Sequence, residues 1–164
     1  MEKRHFPQFY QKHVQKVYRF LYYRVYSNKE LAQDLTQDVF IKALEAFDKY
    51  DESVSEFSWI FTIARNHLLN TLARTKPTVE LEHIENTDWD IEDWAGREEL
   101  KYDEKRVLEA ILGLSKEDAD LVRLKYLEGW SYDEIAEING KKAGALRIQA
   151  HRALKQMRDI LKQR

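Results

Sequence analysis

Apolar and polar positions alternate along most of the chain with a three- and four-residue rhythm, which is the rhythm of helices buried on one side. From Phe6 to Tyr26 the positions Phe6, Phe9, Tyr10, Val14, Val17, Tyr18, Leu21, Tyr22 and Val25 follow it and form an aromatic-rich stripe. Ser27 and Asn28 break that helix. A second is predicted from Leu31 to Phe47, with Leu31, Leu35, Val39, Ala43 and Ala46 on one side. A polar loop over 48–56 leads to a third, Phe57 to Arg74, with Phe57, Ile60, Ala64, Leu68 and Leu72 in line, and Pro77 closes the group. The period then disappears and returns near Tyr102, where Val107, Leu108, Ile111 and Leu112 predict a helix ending at Gly113. Ser115 and Asp118 cap another, carrying Ala119, Leu121, Val122, Leu124 and Leu127 and stopped by Gly129. No strand-like run of useful length interrupts the series. The fold class is therefore all-α, in two small helical bundles.

The last stretch has a form of its own. Ser131 and Glu134 stand at capping-box spacing, so a short helix should begin at Tyr132. Asn139 and Gly140 supply the backbone freedom of a sharp turn, and a second helix follows from about Lys142 with Leu146, Ala150, Ala153, Met157 and Leu161 as its buried stripe. Its other face carries Arg147, Gln149, His151, Arg152, Lys155 and Arg158. From Ile138 to Arg164 there are eight Lys or Arg and one acid, Asp159. A cationic helix behind a tight turn reads as a helix-turn-helix, which fits the major groove of DNA. A plain basic C-terminal helix of a bundle would show the same pattern.

Charge sharpens the division. The net charge of −2 conceals a basic, acidic, basic order: residues 1–78 hold 12 basic and 9 acidic side chains, 79–104 hold 2 and 11, and 105–164 hold 13 and 9. The middle interval, with Trp89 and Trp94 as isolated anchors, reads as an acidic linker between units at 1–78 and 105–164. There is no Cys, which removes disulfides, thiolate metal sites and a Cys nucleophile together. His5, His13, His67, His83 and His151 have no ligand spacing, so neither metal nor other cofactor is expected. No apolar run reaches signal or membrane length, so a soluble cytoplasmic protein without membrane insertion is expected. On the second helix Asp34, Gln37, Asp38, Ile41, Lys42 and Glu45 share the polar side. On the third, Trp59 and Phe61 are interleaved with Arg65, Asn66, Asn70 and Arg74. Aromatics beside amides and cations suit unstacked bases and phosphates, although a half-buried bundle helix has the same content.

Three stretches taken together resemble the sigma factors of bacterial RNA polymerase, in the small extracytoplasmic-function type with domains 2 and 4. They are DLTQDVFIKA over 34–43, WIFTIARN over 59–66 extended by Leu68, Asn70 and Arg74, and LVRLKYL over 121–127 followed by GWSYDEIAEI over 129–138, Gly144 and HRA over 151–153. The resemblance implies a promoter-specificity subunit and not an enzyme, with core RNA polymerase and promoter DNA as partners. It puts Asp34, Gln37, Asp38, Ile41 and Lys42 on the β′ clamp helices and the C-terminal unit on the β flap. The loop from Asp51 to Glu56 would receive a flipped base of the minus-10 element, with Trp59, Arg65, Asn66 and Asn70 on the strand. For the minus-35 element it implies Arg147, Ile148, His151 and Arg152 in the groove, with Lys141, Lys142 and Lys155 on phosphates. An anti-sigma factor is a further family expectation, and the acidic linker corresponds to the segment that threads the RNA path.

The chain departs from the family pattern at three places. Lys141 and Lys142 stand where an apolar residue and a Ser or Thr cap usually precede the reading helix. Ala145 and Ile148 replace residues that are usually polar. Glu56 stands where a phenylalanine usually precedes the tryptophan. The nearest rival is a helix-turn-helix regulator that never joins polymerase, whose first unit should then lack the 34–43 and 59–66 stretches. An enzyme with a DNA-binding tail would need a nucleophile within an Arg cluster, and Ser53, Ser55 and Ser58 have no such neighbours in sequence. A structural adaptor would bind core polymerase without promoter-dependent transcription.

Overall fold

The computed structural model describes residues 3–25, 28–75 and 102–163, and its regular elements are all helical. The chain divides into two compact units, Met1–Asp88 and Trp89–Arg164. Most of the predicted acidic linker, including Trp89 and Trp94, lies outside the described residues. Among the described residues no helix is long and apolar enough to cross a membrane.

In the first unit a single 3-10 turn, Lys3–His5, leads into α1 (Phe6–Arg24), α2 (Lys29–Ala46), a second 3-10 turn (Phe47–Lys49) and α3 (Glu56–Thr75). Pro7 sits in the first turn of α1, where its missing N–H would have had no intrahelical partner. Asn28 starts α2 as well as breaking α1: its Oδ1 accepts the Leu31 N–H at 3.1 Å, and α2 begins two residues before the periodicity does. The core joins Phe9, Val17, Phe20 and Leu21 of α1 to Leu35, Val39, Phe40 and Ala43 of α2 and Phe57, Ile60, Phe61, Ala64 and Leu68 of α3. The buried stripe of α1 is rotated from the expected one. Tyr10 is 42% exposed and Val14 only half-buried, while His13 is buried in its place. On α2, Thr36 is buried too, and its hydroxyl donates to the Ala32 carbonyl.

The second unit contains α4 (Tyr102–Leu112), α5 (Lys116–Val122), α6 (Tyr132–Asn139) and α7 (Ala143–Lys162). α4 begins within the last three residues assigned to the linker. Gly113 ends α4 against α7, where a Cβ would lie 2.7 Å from the flexible Cδ1 tip of Ile160. The helix expected from Ser115 to Leu127 is not uniform. After Val122 it widens into a π turn, Arg123–Leu127, in which the Glu128 N–H reaches the Arg123 carbonyl at 3.0 Å. Arg123 is consequently internal: its Nε lies 3.3 Å from Oε1 of the fully buried Glu128, and its guanidinium 3.2 Å from Asp120.

Candidate functional site

The α6–turn–α7 pair of the second unit is built from caps. Ser131 Oγ accepts the Glu134 N–H at 3.1 Å and the Glu134 carboxylate accepts the Ser131 N–H at 2.7 Å, so α6 starts at Tyr132. Gly140 ends it in the left-handed region at φ 72°, and Asn139 Oδ1 accepts the Lys141 N–H at 3.0 Å to complete the turn. α7 then starts from Lys142 without a side-chain cap, as its departure from the usual pattern implies. Leu146, Ala150, Ala153 and Met157 are buried, as expected, and Leu161 is half-buried.

This packing leaves Arg147, Ile148, His151, Arg152 and Lys155 exposed within an arc of about 140° of α7. Ile148 is 59% exposed and so is an apolar contact directed outward. Lys141 and Lys142 are exposed just before the helix, and Lys141 Nζ donates to Glu117 at 2.8 Å. Gln149 departs from the expected outer face: it is half-buried and its amide donates to Asp118 at 2.8 Å. The Arg147 guanidinium lies 5.6 Å from the ring centroid of Tyr132, over which Lys125 Nζ also sits at 4.6 Å. Sequence reading found in Tyr132 only a helix start. Residues 132 and 147 meet because α6 and α7 pack across the turn.

In the first unit α2 presents Asp34, Gln37, Asp38, Ile41 and Lys42, all exposed, with Ile41 at 55%. Asp38 Oδ2 is 3.1 Å from Nε2 of His67 on α3, which ties this face to the next helix. Leu44, 39% exposed, enlarges the apolar part of the patch. It was not expected, because it falls off the Leu31–Leu35–Val39 stripe without being charged.

α3 combines support with presentation. Trp59 is half-buried, with its ring centroid 4.9 Å from Tyr50 and 5.7 Å from Phe9, while Phe61 is a core residue 5.2 Å from Phe20. Asn66 and Asn70 are exposed on the same side of α3 as Trp59, in the sequence i, i+7, i+11. Arg65 is exposed but stands about 100° round the helix from Asn66, so it is not part of that row. The preceding loop is internally bonded. Asp51 Oδ1 accepts the Ser53 N–H at 2.9 Å, and Ser53's amide and hydroxyl hold the Asp51 carboxyl below its ordinary value. The Tyr50 hydroxyl donates to the Val54 carbonyl, and Ser55 Oγ accepts the Ser58 N–H at 3.1 Å.

Glu56 is directed toward α1. Its carboxylate accepts from Lys12 Nζ at 2.6 Å and lies 3.3 Å from Nε2 of buried His13. Burial pushes the Glu56 carboxyl up, but the hydrogen bonds with Lys12 and His13 outweigh it and the net shift is downward. Burial pushes the His13 imidazole down. Beside them is a cleft of about 790 Å³ with Arg4, Phe9, Lys12, Asp48, Glu52 and Glu56 on its walls. Among the described residues no cluster of His, Cys, Asp and Glu could hold a metal ion.

Residues 9–78 match the family described as Sigma-70 region 2, and residues 104–157 the family described as Sigma-70, region 4. The ECF RNA polymerase sigma factor BldN of Streptomyces coelicolor is 28% identical over 159 residues, which cover 95% of this chain and 60% of BldN. The RNA polymerase sigma factor CarQ of Myxococcus xanthus is 28% identical over 157 residues, covering 95% of this chain and 88% of CarQ. In fold, the chain is similar to the sigma factor RpoE of Bartonella quintana, solved in complex with the anti-sigma factor NepR. That match has a TM-score of 0.51 at 22% identity and covers 94% of this chain and 97% of RpoE.

Proposed function

We infer the division of labour in this chain from one premise: it belongs to the sigma-70 family of RNA polymerase sigma factors, in the extracytoplasmic-function group. It directs core RNA polymerase to promoters in the cytoplasm and helps to open them. The observation that carries this reading is the presence of both regions, in order, on one chain. A regulator that never joins polymerase has no use for the first.

The exposed face from Asp34 to Lys42 engages the β′ clamp helices, with Ile41 as its apolar centre and Gln37 and Asp38 as polar partners. The loop from Asp51 to Glu56 and the Trp59, Asn66 and Asn70 row engage the opening minus-10 element, with Arg65 reaching the backbone from the flank. Extruding a base costs a few kcal/mol, and stacking and edge hydrogen bonds of about 1–3 kcal/mol per base offset it. Opening on these terms requires neither ATP nor a catalytic residue. The second unit docks on the β flap and lays α7 in the minus-35 major groove. There Arg147, Ile148, His151 and Arg152 face bases, while Lys141, Lys142 and Lys155 face phosphates, because a flexible ammonium positions without specifying. For Lys141 this means exchanging Glu117 for a phosphate.

The working boundaries are 1–78, 79–104 and 105–164, with the acidic linker following the path that RNA later takes. An anti-sigma factor that masks the two faces completes the set of partners. The test is run-off transcription by core RNA polymerase reconstituted with the purified chain on a randomised promoter library, with Asp38→Arg as the control. Transcripts from a shared two-box promoter, lost in Asp38→Arg together with core binding, are the expected result. DNA binding without core binding would return the chain to the regulators.

A further inference from the structure

We propose that Tyr132 is a specificity-determining residue of the DNA-reading unit, its ring holding Arg147 in the orientation in which that arginine reads a base pair. The proposal rests on the reading that α7 lies in the minus-35 groove. The ring is a fixed platform. Tyr132 is the first residue of α6, its backbone set by the paired Ser131 and Glu134 bonds. Lys125 Nζ lies 4.6 Å from its centroid and is itself anchored by donating to the Trp130 carbonyl at 3.2 Å, and the Tyr126 and Tyr132 hydroxyls are 3.4 Å apart.

The guanidinium of Arg147, across the turn at 5.6 Å, therefore meets a surface that does not move with it. A guanidinium attracted to a ring face spends none of its N–H donors on an acceptor there, so all of them stay available to a base edge. A free arginine must give up rotamer freedom on meeting DNA, and one already held near a ring gives up less. The local composition makes this consequential. Gly144, Ala145 and Ile148 have no side-chain donor, and Gln149 is bonded to Asp118. Arg147 is thus the one side chain between 143 and 149 with donors directed outward, and the position of its fork sets what the first turns of α7 can read.

The test uses reconstituted holoenzyme and a duplex set in which each upstream-box base pair is replaced singly. Arg147→Ala should abolish discrimination at one pair. Tyr132→Leu should lower discrimination at that same pair by roughly 2- to 5-fold, the range of one exposed cation–π contact, and leave the other pairs as in wild type. Tyr132→Phe, which keeps the ring, should retain the wild-type preference, and Tyr132→Leu added to Arg147→Ala should change nothing further. A purely structural Tyr132 would weaken every pair equally. Discrimination unchanged in Tyr132→Leu, or reduced uniformly, overturns the proposal. A wild type that selects no upstream box overturns the groove reading and this inference with it. A measurement without substitution guards against a variant that fails to fold: in the free full-length chain the ring should shift the Arg147 side-chain protons upfield, and random-coil shifts there overturn the proposal.

Discussion

The helices that present the first unit's surface are held by rings. Phe47 is fully buried, with its centroid 5.1 Å from Phe6 and 5.2 Å from Phe9, and Phe9 in turn meets Trp59. The second unit's α7 is also buried along an apolar stripe, Leu146, Ala150, Ala153 and Met157, but polar bonds surround its start: the Ser131 and Glu134 box of α6, the Asn139 turn, Asp118 to Gln149, and the internal Arg123–Glu128 pair. Ring packing is non-directional and spreads over many contacts, so losing one surface bond of α2 or α3, such as Asp38 to His67, should move its neighbours little. Polar bonds are directional and few. They fix where α6 starts, how the turn runs and where α5 meets α7, and each of them matters locally.

Removing one partner of the internal ion pair should be among the largest effects. Glu128→Leu takes away the buried carboxylate and leaves Arg123 beside the partly exposed Asp120, at a cost of about 3 kcal/mol. Phe47→Ala should cost the first unit a similar amount, about 3–5 kcal/mol, by opening a cavity among the rings. Segment-resolved hydrogen exchange separates the two: Glu128→Leu should expose amides of α5 to α7, and Phe47→Ala those of α1 to α3. Equal loss everywhere in either variant would mean that the units do not stand on separate supports.

A smaller effect isolates the caps. Ser131→Ala removes one of the two bonds of the capping box, worth about 1 kcal/mol. Amides at the start of α6 should exchange faster, with α2 and α3 unchanged. An α6 as protected as in wild type would show that packing of Ile135, not the box, sets the helix start.

What the sequence disclosed follows the same division. Helix starts were legible at Ser115 and Ser131, where the cap and its partner three residues on are both marked, but not at Asn28, whose cap on Leu31 reads in sequence only as a break. The α7 stripe was legible because one face is apolar and the other cationic. Polar pairs off the three- and four-residue spacings were not. Arg123 reads as a surface charge until the π turn brings Glu128 beside it, and His13 reads as one of five scattered histidines until Glu56, 43 residues on, meets it. The candidate residues of α2 and α7 are exposed, since each face is what remains once a stripe is buried. The α3 group was legible only in part. Periodicity could not say that Trp59 is half-buried among rings or that Arg65 lies off the row of Asn66 and Asn70.

The last contrast is in pH, and the two units should respond to opposite ends of the scale. In the first, His13 and Glu56 both have lowered values in the folded state, so the unfolded chain binds more protons and stability rises with pH. Their contribution is fully present above the ordinary histidine value of 6.5. It diminishes as pH falls below that, and Glu56 adds to the loss below its ordinary 4.5. In the second unit the Tyr126 hydroxyl is pushed up from 10.0 to about 12 by its hydrogen bond to Tyr132 and by partial burial. Here the folded state keeps the proton longer, so the contribution is complete below 10.0 and disappears as pH rises toward about 12. Both effects should be modest, since Glu56 and Tyr126 are partly solvated. Hydrogen exchange from pH 7 downward should weaken α1 and α3 before α7, and His13→Gln should flatten that dependence above pH 4.5. At the alkaline end Tyr126→Phe should remove the second unit's own loss. Acid weakening of both units in step, or an alkaline loss that survives Tyr126→Phe, would place the proton-linked groups elsewhere.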